Sequence, residues 1–287
     1  MAKRRIRKKI IRKIFIGFLF LLSFGILLYP TVSTLWNEYR SRQLISEYKR
    51  AAETLETEEY DAIRKEAEEY NLQHTSNTII DAFDEDNNYV LTHPYDTLLN
   101  PSGNGVMGYI EIPKINQTLV IYHGTGAEEL EQGVGHVEGT SLPIGGENTH
   151  SVLAGHRGLP NAKLFTDLDL IQKGDRFFLH IMNETLAYEV EDIFTVLPDQ
   201  TEYLAIEEGR DLCTLITCTP YGVNSHRLLV RGSRIPYTEE QISEETKKAD
   251  FLDRMDISLK ALLFGIAAVV IIWLVLRLKR RRNEKTS

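Results

Sequence analysis

Two uncharged and almost wholly apolar runs bracket the chain, Ile14–Tyr29 and Ala261–Leu276, and the stretch between them is patterned differently. Each run is slightly short of the ~20 residues that cross a bilayer, and snorkelling side chains at the edges, such as Lys260 and Arg277, extend it. The pattern predicts two membrane helices, 14–30 and 257–278. From Trp36 to Tyr70 the apolar residues Leu44, Ile45, Tyr48, Ala52 and Leu55 are spaced for one or two amphipathic helices among many charges. From Gly108 onward the pattern becomes short β-branched and apolar runs: Gly108–Ile115, Leu119–Tyr122, Ser151–Ala154, Asp175–Met182, Leu186–Leu197, Leu212–Thr217 and Arg227–Val230. Short helices are predicted over Ala127–Gln132 and Asn161–Leu170, and a hairpin connection at Asn183-Glu184.

Roughly eight strands with few helices between them fit a mainly β fold, a closed β-barrel with peripheral helices, better than a regular βαβ alternation. The expected organisation is a basic tail (1–13), a membrane helix (14–30), a helical segment with a long loop (31–105), the barrel (106–236), a charged juxtamembrane helix (237–256), a second membrane helix (257–278) and a basic tail (279–287). The loop Asn71–Gly105 is rich in Asn, Asp, Pro and Gly, and Asp199–Arg210 reads as a polar connection.

Charge sharpens this layout. The whole chain carries 33 basic and 41 acidic residues. Eight of the basic ones precede the first apolar run, and six, with Glu284, follow the second, which leaves 19 basic against 40 acidic residues between them, a net of −21. Basic residues on the outer side of each run place both termini in the cytoplasm and the barrel outside a cell membrane crossed twice. A small-x-small cleavage site does not follow Tyr29-Pro30, which favours an anchor over a cleaved signal peptide. The acidic middle repels nucleic acid and suits a basic protein partner or a cationic amine.

The two cysteines, Cys213 and Cys218, lie five residues apart on one predicted strand, roughly 16 Å and on opposite faces, which is too far for a disulfide. Cys213 reads as a small buried hydrophobe. Cys218 ends its strand just before Thr219-Pro220-Tyr221-Gly222, where a thiol is expected at an exposed rim. Arg227 opens the next strand. Alternation means that if Arg227 faces the thiol, His226 does not. A guanidinium there favours the thiolate and can hold an oxyanion, so the stretch lacks only a base, and any of eight histidines could supply it. His156 stands between glycines at a strand end, in Ala154-Gly155-His156-Arg157-Gly158. His123, His136 and His180 read as structural, with no metal-type residues converging on them.

Thr214-Leu215-Ile216-Thr217-Cys218, followed by His226-Arg227-Leu228, resembles the signature of sortases, the cysteine transpeptidases of Gram-positive surfaces. Ala154-Gly155-His156-Arg157-Gly158-Leu159-Pro160 is similar to their histidine motif. The resemblance implies a sortase-type barrel without a cofactor, with Cys218 as nucleophile, His156 as general acid and base, and Arg227 as oxyanion and substrate stabiliser. Asp81-Ala82-Phe83-Asp84 resembles the lid of class C, pilin-polymerising sortases, which implies that Asp81 meets Arg227 and Phe83 covers Cys218. Ala82 stands where the family often has proline, and His93-Pro94-Tyr95-Asp96 is a second lid candidate. The implied reaction cleaves a Leu-Pro-x-Thr-Gly-type sorting signal (LPxTG) between Thr and Gly and transfers the acyl group to a pilin lysine. A housekeeping sortase that uses a cell-wall precursor amine, a papain-like hydrolase, and a non-enzymatic membrane-anchored scaffold are the competing expectations.

Overall fold

The strand runs read from the sequence pair into one closed barrel in a computed structural model, which describes residues 2–73, 81–83 and 92–238. In chain order the elements are α1 (Ala2–Glu53), α2 (Thr57–Gln73), β1 (Val106–Ile112), β2 (Gln117–His123), α3 (Ala127–Gln132), β3 (Val134–His136), β4 (Thr149–Gly155), β5 (Arg176–Ile181), β6 (Glu184–Val196), β7 (Asp211–Thr219) and β8 (His226–Ile235). Around the barrel the order is β1-β2-β3-β4-β7-β8-β6-β5. The β2–β3 and β4–β7 pairs are parallel and the others antiparallel. Closure removes the unpaired edges that an open sheet of this size would expose.

Alternation along β7 and β8 separates two apolar clusters. Cys213, Leu215, Leu228 and Val230 point into the barrel with Leu153 and Phe177. Ile216 and Leu229 point out and pack with Val152, Ala154, Val196 and Leu204 under the β6–β7 connection. Ala82 and Phe83 add to this outer cluster. Cys218 has the parity of Ile216, so strand geometry alone puts it on the outer side.

α1 lies along β1 and β2. The Asn37 amide donates to the Asn161 carbonyl at 2.8 Å, Tyr48 donates to the Met107 carbonyl at 2.7 Å, and the Asn183 amide donates to the Ala52 carbonyl at 3.2 Å. The Tyr48 hydroxyl also accepts from Met182 N–H at 2.6 Å and so braces the β5–β6 turn. Asn71 of α2 bonds both backbone groups of Leu142, which docks the second helix.

Several expectations change. Asn161–Leu170 is not an α-helix: Leu164 takes a left-handed conformation (φ 37°), and only Leu168–Leu170 forms a 3-10 turn. Tertiary packing overrides the helical spacing, because Phe165 lies against Gly155 and its N–H donates to the His156 carbonyl at 3.1 Å. The three-residue β3 was too short to read from its pattern. The β5–β6 connection is Met182-Asn183, one residue earlier than expected. The run 14–30 forms part of α1, and no helix among the described residues is long and apolar enough to cross a membrane. The expected segments 257–278 and 279–287, and most of 237–256, lie outside the described residues.

Candidate active site

Register brings the thiol and the guanidinium together. Cys218 and Arg227 are direct partners across the antiparallel β7–β8 pair, and Thr219 pairs with His226. Opposite residues share a face, so Arg227 is beside the thiol and His226 is turned away. On the other side, β4 runs parallel to β7 with Ala154 opposite Ile216. His156 follows directly on the last residue of β4 and Cys218 lies two residues past Ile216 on β7, so both stand at the same end of the sheet. Thr217 fixes this end, its hydroxyl donating to the Gly155 carbonyl at 2.7 Å.

The glycines of the histidine segment have steric reasons. A Cβ on Gly155 would stand 2.6 Å from the Phe165 ring. Gly158 has φ +79°, and a Cβ there would meet the Tyr221 ring at 2.8 Å. Arg157 ties the loop down: it pairs with Asp169, reaches the Thr219 hydroxyl at 3.5 Å, and lies 5.7 Å from the centre of the Tyr221 ring.

Asp81 closes over this arrangement. Arg227 donates from Nε to one Asp81 carboxylate oxygen at 2.8 Å and from a terminal nitrogen to the other at 2.5 Å. Its second terminal nitrogen donates to the carbonyls of Asn224 and His226. The Phe83 ring lies 5.6 Å from the His156 ring and 5.3 Å from the Arg227 guanidinium carbon. Thus Asp81 and Phe83 reach Arg227 and His156, and Cys218 is 8 % exposed instead of standing open at the rim. The thiol expected at an exposed rim is thus found buried. Of the second lid candidate, Tyr95 is buried and its hydroxyl bonds the His136 ring at 2.8 Å, so that segment anchors the barrel. His93 is exposed beside Asp96.

Electrostatics follow the geometry. Burial pushes the Cys218 thiol above its ordinary value, Arg227 opposes the shift, and the Asp81 carboxylate adds to it. Burial pulls Arg227 down, but its hydrogen bonds to Asp81 and the neighbouring thiol and carboxylate raise it overall.

Sequence reasoning missed the wall beside the site. A small, mostly apolar pocket beside Arg227 is walled by Val137, Val152, Ile216, Leu229 and Leu204, with Asp81 and Ala82 forming part of its lining. Leu204 belongs to the connection expected to be merely polar. That connection is held by the His150 ring, 2.8 Å from the Ala205 carbonyl and 2.8 Å from the Thr214 hydroxyl, and by Glu207 paired with Arg210 and Arg231. Only a buried leucine within a charged stretch hinted at this role. His123 and His136 are structural, bonding the backbone of Gly105 and Ser141.

The sortase domain family matches residues 110–235. Sortase D of Bacillus subtilis (strain 168) is 33% identical over 138 residues, which span 47% of this chain and 67% of that protein. Sortase A of Bacillus anthracis is 30% identical over 130 residues, 45% of this chain and 60% of its own length. Among solved structures, Streptococcus agalactiae sortase C1 superposes with a TM-score of 0.65 at 43% identity, covering 70% of this chain and 99% of that one. Streptococcus pneumoniae sortase C gives 0.60 at 41%, covering 68% and 98%. A thiol paired with a guanidinium across β7 and β8, a histidine just past the end of β4, and relatives matched over nearly their full solved length lead to one conclusion: the chain belongs to the sortase family of cysteine transpeptidases.

Proposed function

We propose that this protein is a class C sortase that links pilin subunits through isopeptide bonds. The observation that carries the reading is the Asp81–Phe83 lid seated on Arg227 and His156, with its carboxylate bonded twice to the guanidinium. The solved relative from Streptococcus pneumoniae, a sortase C described for its pilin substrate specificity, supports the same class.

In the proposed cycle the lid leaves first, because Arg227 donors that an oxyanion needs are taken by Asp81. Departure of Asp81 and Ala82 uncovers the apolar wall they now complete, and that surface receives the leucine and proline of an LPxTG-type sorting signal. The Cys218 thiol passes its proton to His156, its sulfur attacks the threonine carbonyl carbon, and Arg227 stabilises the oxyanion. The carbon–nitrogen bond to glycine breaks as protonated His156 gives its proton to the leaving amine. A pilin lysine amine next attacks the thioester carbon, His156 takes its proton, and the Cys218 thiolate departs.

The enzyme is anchored in the cell membrane, with the barrel extracellular and both termini cytoplasmic. What supports anchoring is α1, where Phe15, Phe18, Leu19, Leu22 and Ile26 are all exposed. A helix with exposed apolar side chains around it needs a non-aqueous cover. Ile14–Tyr29 rises about 24 Å, short of a ~30 Å hydrocarbon core, so the apolar run does not span by itself and the proposed crossing draws on its flanking turns as well.

Mass spectrometry of the protein with a sorting-signal peptide, with and without a lysine-bearing pilin fragment, tests the reading. A thioester on Cys218 resolved by the lysine is expected. Resolution by a cell-wall precursor amine alone points to a housekeeping sortase. No adduct with the lid intact or replaced points to the scaffold alternative.

A further inference from the structure

We infer that the active-site end of the barrel is the face that lies against the bilayer, with the β7–β8 turn dipping into the headgroup region. The inference rests on the anchoring proposed above and adds where the catalytic cleft sits.

Strand direction defines the two ends. β7 and β4 run toward the catalytic end, finishing at Thr219 and Gly155, and β8 starts there at His226. α1 crosses the barrel in the opposite sense. Its Asn37 bonds Asn161, just past the catalytic histidine loop, whereas its Ala52 reaches Asn183 in the turn at the far end. Followed toward its N-terminus, α1 therefore leaves the barrel at the catalytic end, carrying the apolar run Ile14–Tyr29 with it.

The exposed apolar side chains follow the same polarity. Outside α1, the large exposed apolar residues among those described are Leu72, Leu170, Leu197, Tyr221 and Val223. Four of the five are at the catalytic end. Leu197 follows Val196, the partner of Arg227. Leu170 follows Asp169, which pairs with Arg157. Tyr221 and Val223, 60% and 69% exposed, form the β7–β8 turn itself. That turn is held by N–H bonds from Val223 and Asn224 to the Pro220 carbonyl, so its apolar tip is presented by a fixed backbone. Leu72 alone belongs to the other end, beside Asn71 and its Leu142 partner.

Dimensions agree. Eight residues separate Tyr29 from Asn37, about 12 Å of helix. The headgroup zone takes about 5–8 Å of that, being half the difference between a 40–45 Å bilayer and its 30 Å core. Val32, Leu35 and Trp36 of α1 are exposed in this interval, with Tyr39 just past it, and Trp and Tyr favour that depth. The β7–β8 turn, reaching past Cys218 toward the same side, enters the same layer. With a net charge of −21 between the two apolar runs, the contact is apolar insertion and needs no anionic lipid.

The test is depth-dependent quenching in the full chain, reconstituted into phosphatidylcholine vesicles with or without bromine near the headgroup end of the acyl chains. Trp36 and Trp273 are the native tryptophans. Tyr221→Trp, Val223→Trp and Leu72→Trp are each placed on a Trp36→Phe/Trp273→Phe background, and Trp273→Phe alone leaves Trp36 as the anchor reporter. The expected result is loss of emission in brominated vesicles for Tyr221→Trp and Val223→Trp, and none for Leu72→Trp, without any requirement for anionic lipid. If Trp36 is quenched while the Tyr221 and Val223 variants stay as bright as Leu72→Trp, the protein is anchored but this face stands off, and the inference is overturned. If the protein fails to float with vesicles at all, anchoring itself fails and takes the inference with it.

Discussion

Cys213 and Cys218 share one strand and one element type, yet only one has chemistry around it. Cys213 points into the barrel among Leu215, Val230 and Phe177, and burial, with Asp211 adding, pushes its thiol well above the ordinary value. Cys218 lies on the outer face against Arg227, and that cation opposes the burial. An odd spacing of five along a strand is enough to separate a core thiol from a candidate nucleophile. The comparison teaches that reactivity here is set by which face of β7 a residue occupies and by what the neighbouring strand places opposite it.

The largest expected effect breaks the pair apart. Cys218→Ala removes the thioester adduct entirely in mass spectra, whereas Cys213→Ala retains it and costs stability on the order of 1 kcal/mol in denaturant unfolding. Adduct formation in Cys218→Ala would reassign the nucleophile. Next, Arg227→Ala slows acyl-enzyme formation by about two to three orders of magnitude in single-turnover assays, the scale of a lost oxyanion donor. An unchanged rate would remove Arg227 from that role.

The lid gives a smaller effect that again falls on one cysteine. Asp81→Ala speeds alkylation of Cys218 about tenfold or more, because a charge-assisted hydrogen bond is worth about 1.5–3 kcal/mol, and Phe83→Ala, which loses a ring contact with Arg227, speeds it less. Cys213 labelling should not change. Equal acceleration at both thiols would mean general loosening of the barrel, not lid opening.

The smallest effect is a displaced pH profile. A thiol raised by burial and by a carboxylate holds its proton to higher pH, so the alkylation midpoint of Cys218 starts above the ordinary thiol range. Asp81→Ala removes the carboxylate and admits water, and both changes move the midpoint down. The two profiles then differ most around the ordinary thiol range and converge at high pH, where both thiols are ionised. A midpoint moving upward would show that Asp81 does not act on the thiol.

Much of the site was legible because its logic is local. The period of two placed Cys213 and Cys218 on opposite faces before any pairing was known. Proline and glycine after Cys218 placed the strand end within one residue of that of β7, which closes at Thr219, and α3 was read at its observed bounds, Ala127–Gln132. Asn161–Leu170 misled because Leu164 and Phe165 are used to cover β4 and not to continue a helix. Leu204 gave little signal because its connection has no period, and its place in the pocket wall depends on His150 and Arg231 from distant strands.

The sequence by itself determined most of the strand runs, the opposite faces of Cys213 and Cys218 and the opposite faces of Arg227 and His226, since these follow from backbone alternation over a few residues. The family resemblance implied the meeting of Asp81 with Arg227, but tertiary structure alone gave its two-bond geometry across 146 residues, the burial and upward shift of the thiol, and the exit of α1 at the catalytic end. Those are contacts between segments with no shared periodicity. Only closure of the barrel fixes the distances at which a carboxylate, a guanidinium and a thiol begin to feel one another.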